Sequence, residues 1–279
     1  MTIQTVERAI DVLECFSHQQ PELTVGEISR RLGLHKSIVS RLVTTLRERR
    51  ILEQHPKTKV VSIGVGAFRI GSVFTRRLPL ETAAVSHLNS LVERIQHSCH
   101  VAVLDAHRLL TVASVETRQS LRVILRTGEH RYLHASAGGK LLLAYQPSLL
   151  DEVMETTGLP VLTSKTITSL PKLRRELANI RDSGIAWNFE ESTRGAGACA
   201  APIFGAHGQI IGAITTVYPL SAIEKRDFTM IGTRVRAAAK LISGEMGWVE
   251  GAGRSRPDLV AISARSGQRR RVAAGAVAP

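Results

Sequence analysis

The stretch "TVGEISRRLGLHKSIVSRLVTTLRERRIL", from Thr24 to Leu52, leaves a chain few ways to fold. It contains two runs of helical apolar period with only Gly33 and its neighbours between them, so two helices must turn sharply onto each other. Thr24 and Glu27 form a T-x-x-E capping box, in which hydroxyl and carboxylate satisfy backbone N–H groups that a helix start leaves free. The first of these helices is therefore predicted from about Val25 to Leu32, and the next from "LHKS" to roughly Arg49. Another amphipathic helix precedes both. Val6, Ala9, Ile10, Leu13 and Phe16 recur at helical spacing up to the polar loop "SHQQPEL".

Side chains on the third helix can be placed by advancing about 100° per residue. Ile38, Val39, Leu42, Val43 and Leu46 share one arc, and Lys36, Ser37, Ser40, Arg41, Thr44 and Arg47 share the opposite one. A solvated face on a surface helix would look similar. Here, however, small hydroxyl residues stand among the cations, and such groups can approach phosphates and base edges while Arg or Lys donates to guanine. Beyond Leu52, "EQHPKTKVVSIG" reads as two short strands around Pro56 and Lys57, with Lys57 and Lys59 placed for backbone phosphates. Three helices and this wing describe a winged helix-turn-helix whose third helix enters the major groove of a double-stranded DNA operator.

The charge distribution agrees. Of the net +13, residues 1–80 hold 13 basic and 7 acidic side chains, a balance of +6. Residues 81–248 carry only +3, and 249–279 carry +4. A basic first segment before a nearly balanced one suits a polyanion-binding module joined to a domain with another task. At 279 residues, two domains are the natural expectation. No apolar run reaches the eighteen or so residues of a membrane span, and acids at Glu7, Asp11 and Glu14 interrupt any secretory signal, so cytoplasmic residence without a membrane partner is expected. Cys15, Cys99 and Cys199 are odd in number and widely spaced, and read as core residues rather than disulfides or thiolate ligands.

"GVGAFRIGSVFTRRLPL", residues 64–80, has apolar residues at broadly helical spacing up to Pro79, and its glycines do not fit a nucleotide-binding fingerprint. A long amphipathic pattern follows to Ile95. "CHVAVLDA" and "LLTVASVE" read as a hairpin, "LRVILRTG" as a third strand, and "ASAGGKLLLAY" and "PKLRRELANIRDSG" as helices, the latter closed by a glycine. "GACAAPIF" and "IIGAITTVYP" form another hairpin, and a helix over "KRDFTMIGTRVRAAAKLIS" completes an α+β domain with helices on its sheet. In "HASAGGK" the amides of Ala137, Gly138 and Gly139 at a helix start could receive a carboxylate. A tight loop entering a packed helix is the plainer alternative. Small side chains at Ala196, Ala198 and Cys199 would leave space beneath.

Four segments, "QTVERAIDVLECF", "LTVGEISRRLGLHKSIVSRLVTTLRERRIL", "LHASAGGKLLLAY" and "RGAGACAAPIFGAHGQIIGAITT", occur in the order found in IclR-family transcription regulators. The chain resembles that family from about Ile3 to Gly244. The resemblance implies a winged helix over 1–63, a linker helix over 64–80 that helps pair subunits, and a GAF-like effector domain over 81–248 that binds small molecules. A homodimer is expected, with dimer against tetramer left open, and the helix-start amides point to a small organic-acid effector; no cofactor is expected. By motif the resemblance adds Val123, on the strand before the helix loop, and Asn188, Thr215 and Val217 to the effector site. Two departures forbid transferring any particular effector: Tyr132 stands where the family often has proline, and Asn188 where it often has aspartate. Arg122, Arg126 and Arg131 could supplement the positive potential, although long cations near a sheet edge are commonly solvated.

Other functions are weaker fits. Ser136, His134 and Glu190 or Glu191 suggest a hydrolase only loosely, since no G-x-S-x-G elbow is present. "HSCH", His97 to His100, offers zinc ligands without the further ligands a site needs, and reads as a helix end entering a strand. An RNA-binding or adaptor winged helix, lacking a specific duplex operator, remains open. Residues 249–279 have no aromatic residue and an Arg269–Arg271 run, so a disordered basic tail is expected.

Overall fold

The structure, a computed structural model, describes residues 3–17, 20–75, 79–224 and 226–249. The expected tail lies almost wholly outside them. The chain divides into two compact units between Thr82 and Ala83.

In the first unit α1 (Gln4–Glu14), α2 (Val25–Leu32) and α3 (Lys36–Glu48) surround a core of Val12, Cys15, Leu23, Ile28, Val39, Leu42, Val43, Leu52 and Val61. The Thr24–Glu27 capping box forms in both directions. Glu27 N–H donates to Thr24 Oγ1 at 3.3 Å, and Thr24 N–H donates to Glu27 Oε2 at 2.7 Å. Gly33 ends α2 at φ +63°, a left-handed conformation that costs glycine nothing, so α3 can leave at a new angle. Strands β1 (Glu22–Leu23), β2 (Leu52–Gln54) and β3 (Val61–Ile63) make a small antiparallel sheet in the order β1-β3-β2. The β2–β3 hairpin is the wing. Helix α4 (Val65–Thr75) begins directly after it.

Gly64 and Gly66, which suggested no nucleotide loop, have a packing role instead. An added Cβ at either would meet the Arg50 carbonyl oxygen at 2.5 or 2.6 Å. With Gly66 N–H donating to Arg50 O at 2.7 Å, the start of α4 is joined to the winged helix through close backbone contact.

The second unit carries most of α5 (Pro79–Ile95), then β4 (Ser98–Asp105), β5 (Arg108–Val115), β6 (His130–Tyr132), α6 (Ala137–Tyr145), α7 (Pro147–Thr156), α8 (Leu170–Ser183), β7 (Ala186–Phe189), β8 (Ala196–Phe204), β9 (Ile210–Pro219) and α9 (Asp227–Glu245). Its six strands form one antiparallel sheet in the order β6-β5-β4-β9-β8-β7. Helix α6 lies against β7, β8 and β9, with α7 and α8 outside it, and α9 packs on β8 and β9. Leu141, Leu142 and Leu143 are all buried, as a helix enclosed on every side requires. His87 Nε2 on α5 lies 2.7 Å from Glu245 Oε1 on α9.

The third strand expected over Leu121–Gly128 is absent. Residues 122–126 carry no helix or strand, and the strand beside β5 is β6. The alternation that suggested a strand is real, because Leu125 is buried and Val123 half-buried between exposed neighbours. What this stretch lacks is a paired neighbour.

Candidate functional site

Within the first unit, Lys36, Ser37, Ser40, Arg41 and Thr44 are all exposed on α3, while Val39, Leu42 and Val43 face the core. His35 caps α3: its Nδ1 accepts the Ser37 amide at 3.3 Å and lies 2.8 Å from the Ser37 hydroxyl. Lys57 and Lys59 are exposed in the wing loop. That loop is internally braced, with Thr58 N–H donating to His55 Nδ1 at 3.1 Å and Lys59 N–H to His55 O at 3.0 Å. Arg47 Nη1 donates to Gln54 Oε1 at 2.9 Å, and Gln54 Nε2 donates to the Lys59 carbonyl at 3.0 Å. Helix and wing are thereby held as one surface, and Arg47 serves that linkage.

The second unit contains a pocket with about 40 Å³ of enclosed space, opening to about 440 Å³ when its mouth is included. Its floor is the start of α6, where Ser136, Ala137 and Gly138 meet the sheet. Val123, Leu125, Leu109 and Val217 supply apolar wall, and Ala196 and Ala198 keep it open. His100, Arg131 and Thr215 supply the polar corner. His100 and Thr215 are cross-strand partners on β4 and β9, so their side chains stand side by side.

The unpartnered atoms at that corner are the informative feature. Among the described residues, His100 Nδ1, Arg131 Nε and Thr215 Oγ1 are buried without a hydrogen-bond partner. His100 and Thr215 are each 3% exposed. A buried polar atom left unpaired costs about 1–3 kcal/mol, so three around one cavity make a corner with polar groups to spare for water or a bound molecule. Burial, and secondarily the Arg131 charge, push the His100 imidazole down to about 3. It is therefore neutral at physiological pH. Burial also lowers the Arg131 guanidinium, with Glu129 opposing. Its nearest carboxylate, Glu129 Oε2, is 3.7 Å from Nη2, outside hydrogen-bond reach.

Two expected site residues, Gly139 and Cys199, do not line the pocket. The Gly139 N–H donates to Ser136 Oγ at 3.3 Å. The glycine is needed because a Cβ there would be driven into the Leu133 backbone. Gly139→Ala should therefore cost about 1–3 kcal/mol by overpacking, read as a lowered urea midpoint. Cys199 lies in β8 between residues whose side chains alternate across the sheet, and it does not line the cavity that Ala198 lines. Asn188 does line it, yet its amide is already used: Nδ2 donates to Ala135 O at 2.6 Å and Oδ1 accepts Glu191 N–H at 3.2 Å. Val123 is present, but on the unpaired stretch instead of a strand.

His100 was hidden in "HSCH", where sequence offered only a metal motif. Arg131 was one of three equivalent arginines. Arg122 is exposed and donates through Nε to Glu116 Oε2 at 3.2 Å, and Arg126 is exposed and 3.9 Å from Glu129. The hydrolase arrangement does not assemble, because Ser136 Oγ donates to Tyr132 O at 2.9 Å and His134 Nε2 is spent on Pro160 O at 3.1 Å.

A groove-reading helix with its wing in one unit, and a small-molecule cavity in the other, are the two halves of a ligand-responsive transcription regulator. Residues 5–56 match the IclR helix-turn-helix domain, and residues 73–244 match the C-terminal domain of the bacterial transcriptional regulator IclR. The chain belongs to the IclR family. It is 31% identical to the HTH-type transcriptional regulator BhcR of Paracoccus denitrificans over 242 residues, 86% of each chain. It is 28% identical to the transcriptional repressor IclR of Escherichia coli over 244 residues, 86% of this chain and 89% of that one. Among solved structures, an IclR homologue from Microbacterium hydrocarbonoxydans complexed with 4-hydroxybenzoate superposes with a TM-score of 0.77 at 26% identity, covering 87% of this chain and 98% of that one. These relatives are regulators of transcription, not enzymes.

Proposed function

We propose that this regulator binds a pseudo-palindromic DNA operator as a homodimer, and that a small carboxylate held in the second unit's cavity changes its operator affinity. The observation that carries the effector class is the trio of unpartnered atoms on His100, Arg131 and Thr215, beside the start of α6. A carboxylate is acceptor-only, and so complements a guanidinium, a hydroxyl and the Ala137 and Gly138 amides at a positive helix end, where a helix start offers no intrahelical acceptor. Apolar Val123, Leu125 and Val217 suit the ligand's hydrocarbon part. The complex with 4-hydroxybenzoate in a relative fits this class. A thermal-shift series with benzoate, 4-hydroxybenzoate, lactate and glyoxylate, against their amides, tests it. Stabilisation by the amides and not the acids would reject it.

On DNA, Lys36, Ser37, Ser40, Arg41 and Thr44 contact bases and nearby phosphates, and Lys57 and Lys59 contact phosphates. Residues 1–63, 64–80 and 81–248 serve as reader, linker and sensor in the cytoplasm. Exposed apolar side chains support pairing of subunits through the first unit: Ile3, Val6 and Ile10 around α1, and Val65, Phe68, Ile70 and Val73 on α4. Whether dimers pair further is read by sedimentation of the full chain. Arg41→Ala is expected to cost about 1–3 kcal/mol in operator binding and relax preference at one position. Operator selection across a salt series checks this. An equal loss on every sequence would move Arg41 to the phosphates, and equal affinity for all duplexes would favour the adaptor alternative.

A further inference from the structure

Lys140, one turn into α6, is 1% exposed and is not part of the cavity lining. Its Nζ donates to Glu191 Oε1 at 2.7 Å and to Glu176 Oε1 of α8 at 3.2 Å. Glu191 is itself 7% exposed, and its second oxygen, Oε2, is buried without a partner among the described residues. A buried ion pair is a poor source of stability, because desolvation offsets most of the attraction and apolar residues of similar volume often do as well. Something other than stability explains its position.

The two residues after Glu191, Ser192 and Thr193, line the cavity. The segment they belong to leaves β7 through Glu190, whose φ of 61° is left-handed, and it lacks helix or strand until β8 begins. Backbone bonds close it as a loop, with Glu190 N–H donating to Ala196 O at 2.9 Å and Ala196 N–H to Thr193 O at 3.3 Å, and side chains tie it to its surroundings. Thr163 Oγ1 donates to Glu190 O at 2.6 Å, and Thr166 Oγ1 donates to Glu191 O at 2.7 Å. Asn188 bridges Glu191 N–H to Ala135 O, just ahead of the α6 N-terminus. The Lys140–Glu191 pair is the side-chain link from this segment to α6 itself.

We propose that Lys140 is a positioning residue for the cavity: through Glu191 it fixes the 190–193 segment, so that Ser192 and Thr193 form one wall opposite the start of α6. Its consequence for effector binding rests on the proposed function, whereas the fixed wall does not. The test uses the ligand-free full chain with Lys140→Met and Glu191→Leu combined, which removes both charges and keeps apolar volume. Amide hydrogen exchange is followed in 189–195, in α6 and in β8, beside a urea unfolding curve. The expected result is a cooperative transition with its midpoint near the parent's, at least tenfold faster exchange in 189–195, and unchanged protection in α6 and β8.

Unchanged exchange in 189–195 of the folded double variant overturns the proposal. So does acceleration spread equally over α6, which would make the pair simple packing. If the double variant does not fold, Glu191→Gln carries the test: it keeps a hydrogen-bond acceptor for Lys140 but removes the charge, and at least threefold faster exchange confined to 189–195 is expected, an unchanged rate being the overturning result. Failure of every acid to shift the parent's melting temperature would reject the effector class and leave this exchange result standing.

Discussion

Lys140→Met is expected to lower the free energy of unfolding by about 3–5 kcal/mol at pH 8, since removing one member of a buried pair leaves the other uncompensated. The deficit should shrink toward pH 5. Burial pushes the Glu191 carboxyl above its ordinary value of 4.5, and Lys140 pulls it part of the way back. Glu176, the third charged group at this point, pushes it up slightly. A carboxyl whose folded-state pKa is raised contributes stability that is full below its unfolded value and is lost as pH rises through the folded one. Without Lys140 the folded value rises further, so the loss is larger and extends to higher pH. Urea unfolding of parent and variant at half-unit steps from pH 5 to 8 measures this. A deficit that is constant with pH, or that grows toward pH 5, would show that Glu191 is not the group left exposed to the missing charge.

The same pair illustrates what a sequence reveals and what it does not. Local signals were sufficient wherever a few neighbouring residues determine the backbone. The Thr24–Glu27 box, Gly33, and the glycine ending α8 at Gly184 each settle a helix end by hydrogen bonds within one turn, and the expected bounds of α2 coincide with those observed. The hairpins β4–β5 and β8–β9 were legible from long apolar runs around short turns. By contrast, β6 and β7 have three and four residues, too short for a period to register. Helix α7 was not anticipated, although Pro147 at its first turn is a start signal.

The placing of the site residues follows the same logic. Ala196, Ala198 and Cys199 cannot all face one cavity, because neighbouring strand residues point to opposite faces. That error was avoidable. His100 was not findable, since its significance comes from facing Thr215 across two strands far apart in sequence and from the Arg131 side chain beside it. Lys140 likewise reads as an ordinary helix cation until Glu176 and Glu191 are brought around it. Helix and strand patterns report local burial, whereas a binding corner is made by residues that meet only after the sheet has formed.

Arg131→Met is expected to abolish the thermal stabilisation given by carboxylates while leaving the ligand-free protein at least as stable. Hydrogen bonds to charged groups contribute about 1.5–3 kcal/mol, which at about 1.4 kcal/mol per decade corresponds to roughly 10- to 150-fold weaker binding. The ligand-free protein gains because an unpaired buried Nε is removed, and loses only a 3.7 Å ion pair with Glu129 on a partly exposed side chain, a contact worth about 0–1 kcal/mol. His100 should stay neutral, because burial and not Arg131 is the larger cause of its low value. Arg131→Lys keeps the charge but not the planar fork, so partial affinity is expected. Calorimetric titration with 4-hydroxybenzoate and lactate, beside melting curves without ligand, separates the outcomes. A methionine variant that binds every acid as the parent does would remove Arg131 from the site and leave the anion to the helix end alone. A variant that melts several degrees lower without ligand would show instead that the guanidinium holds β6 in place.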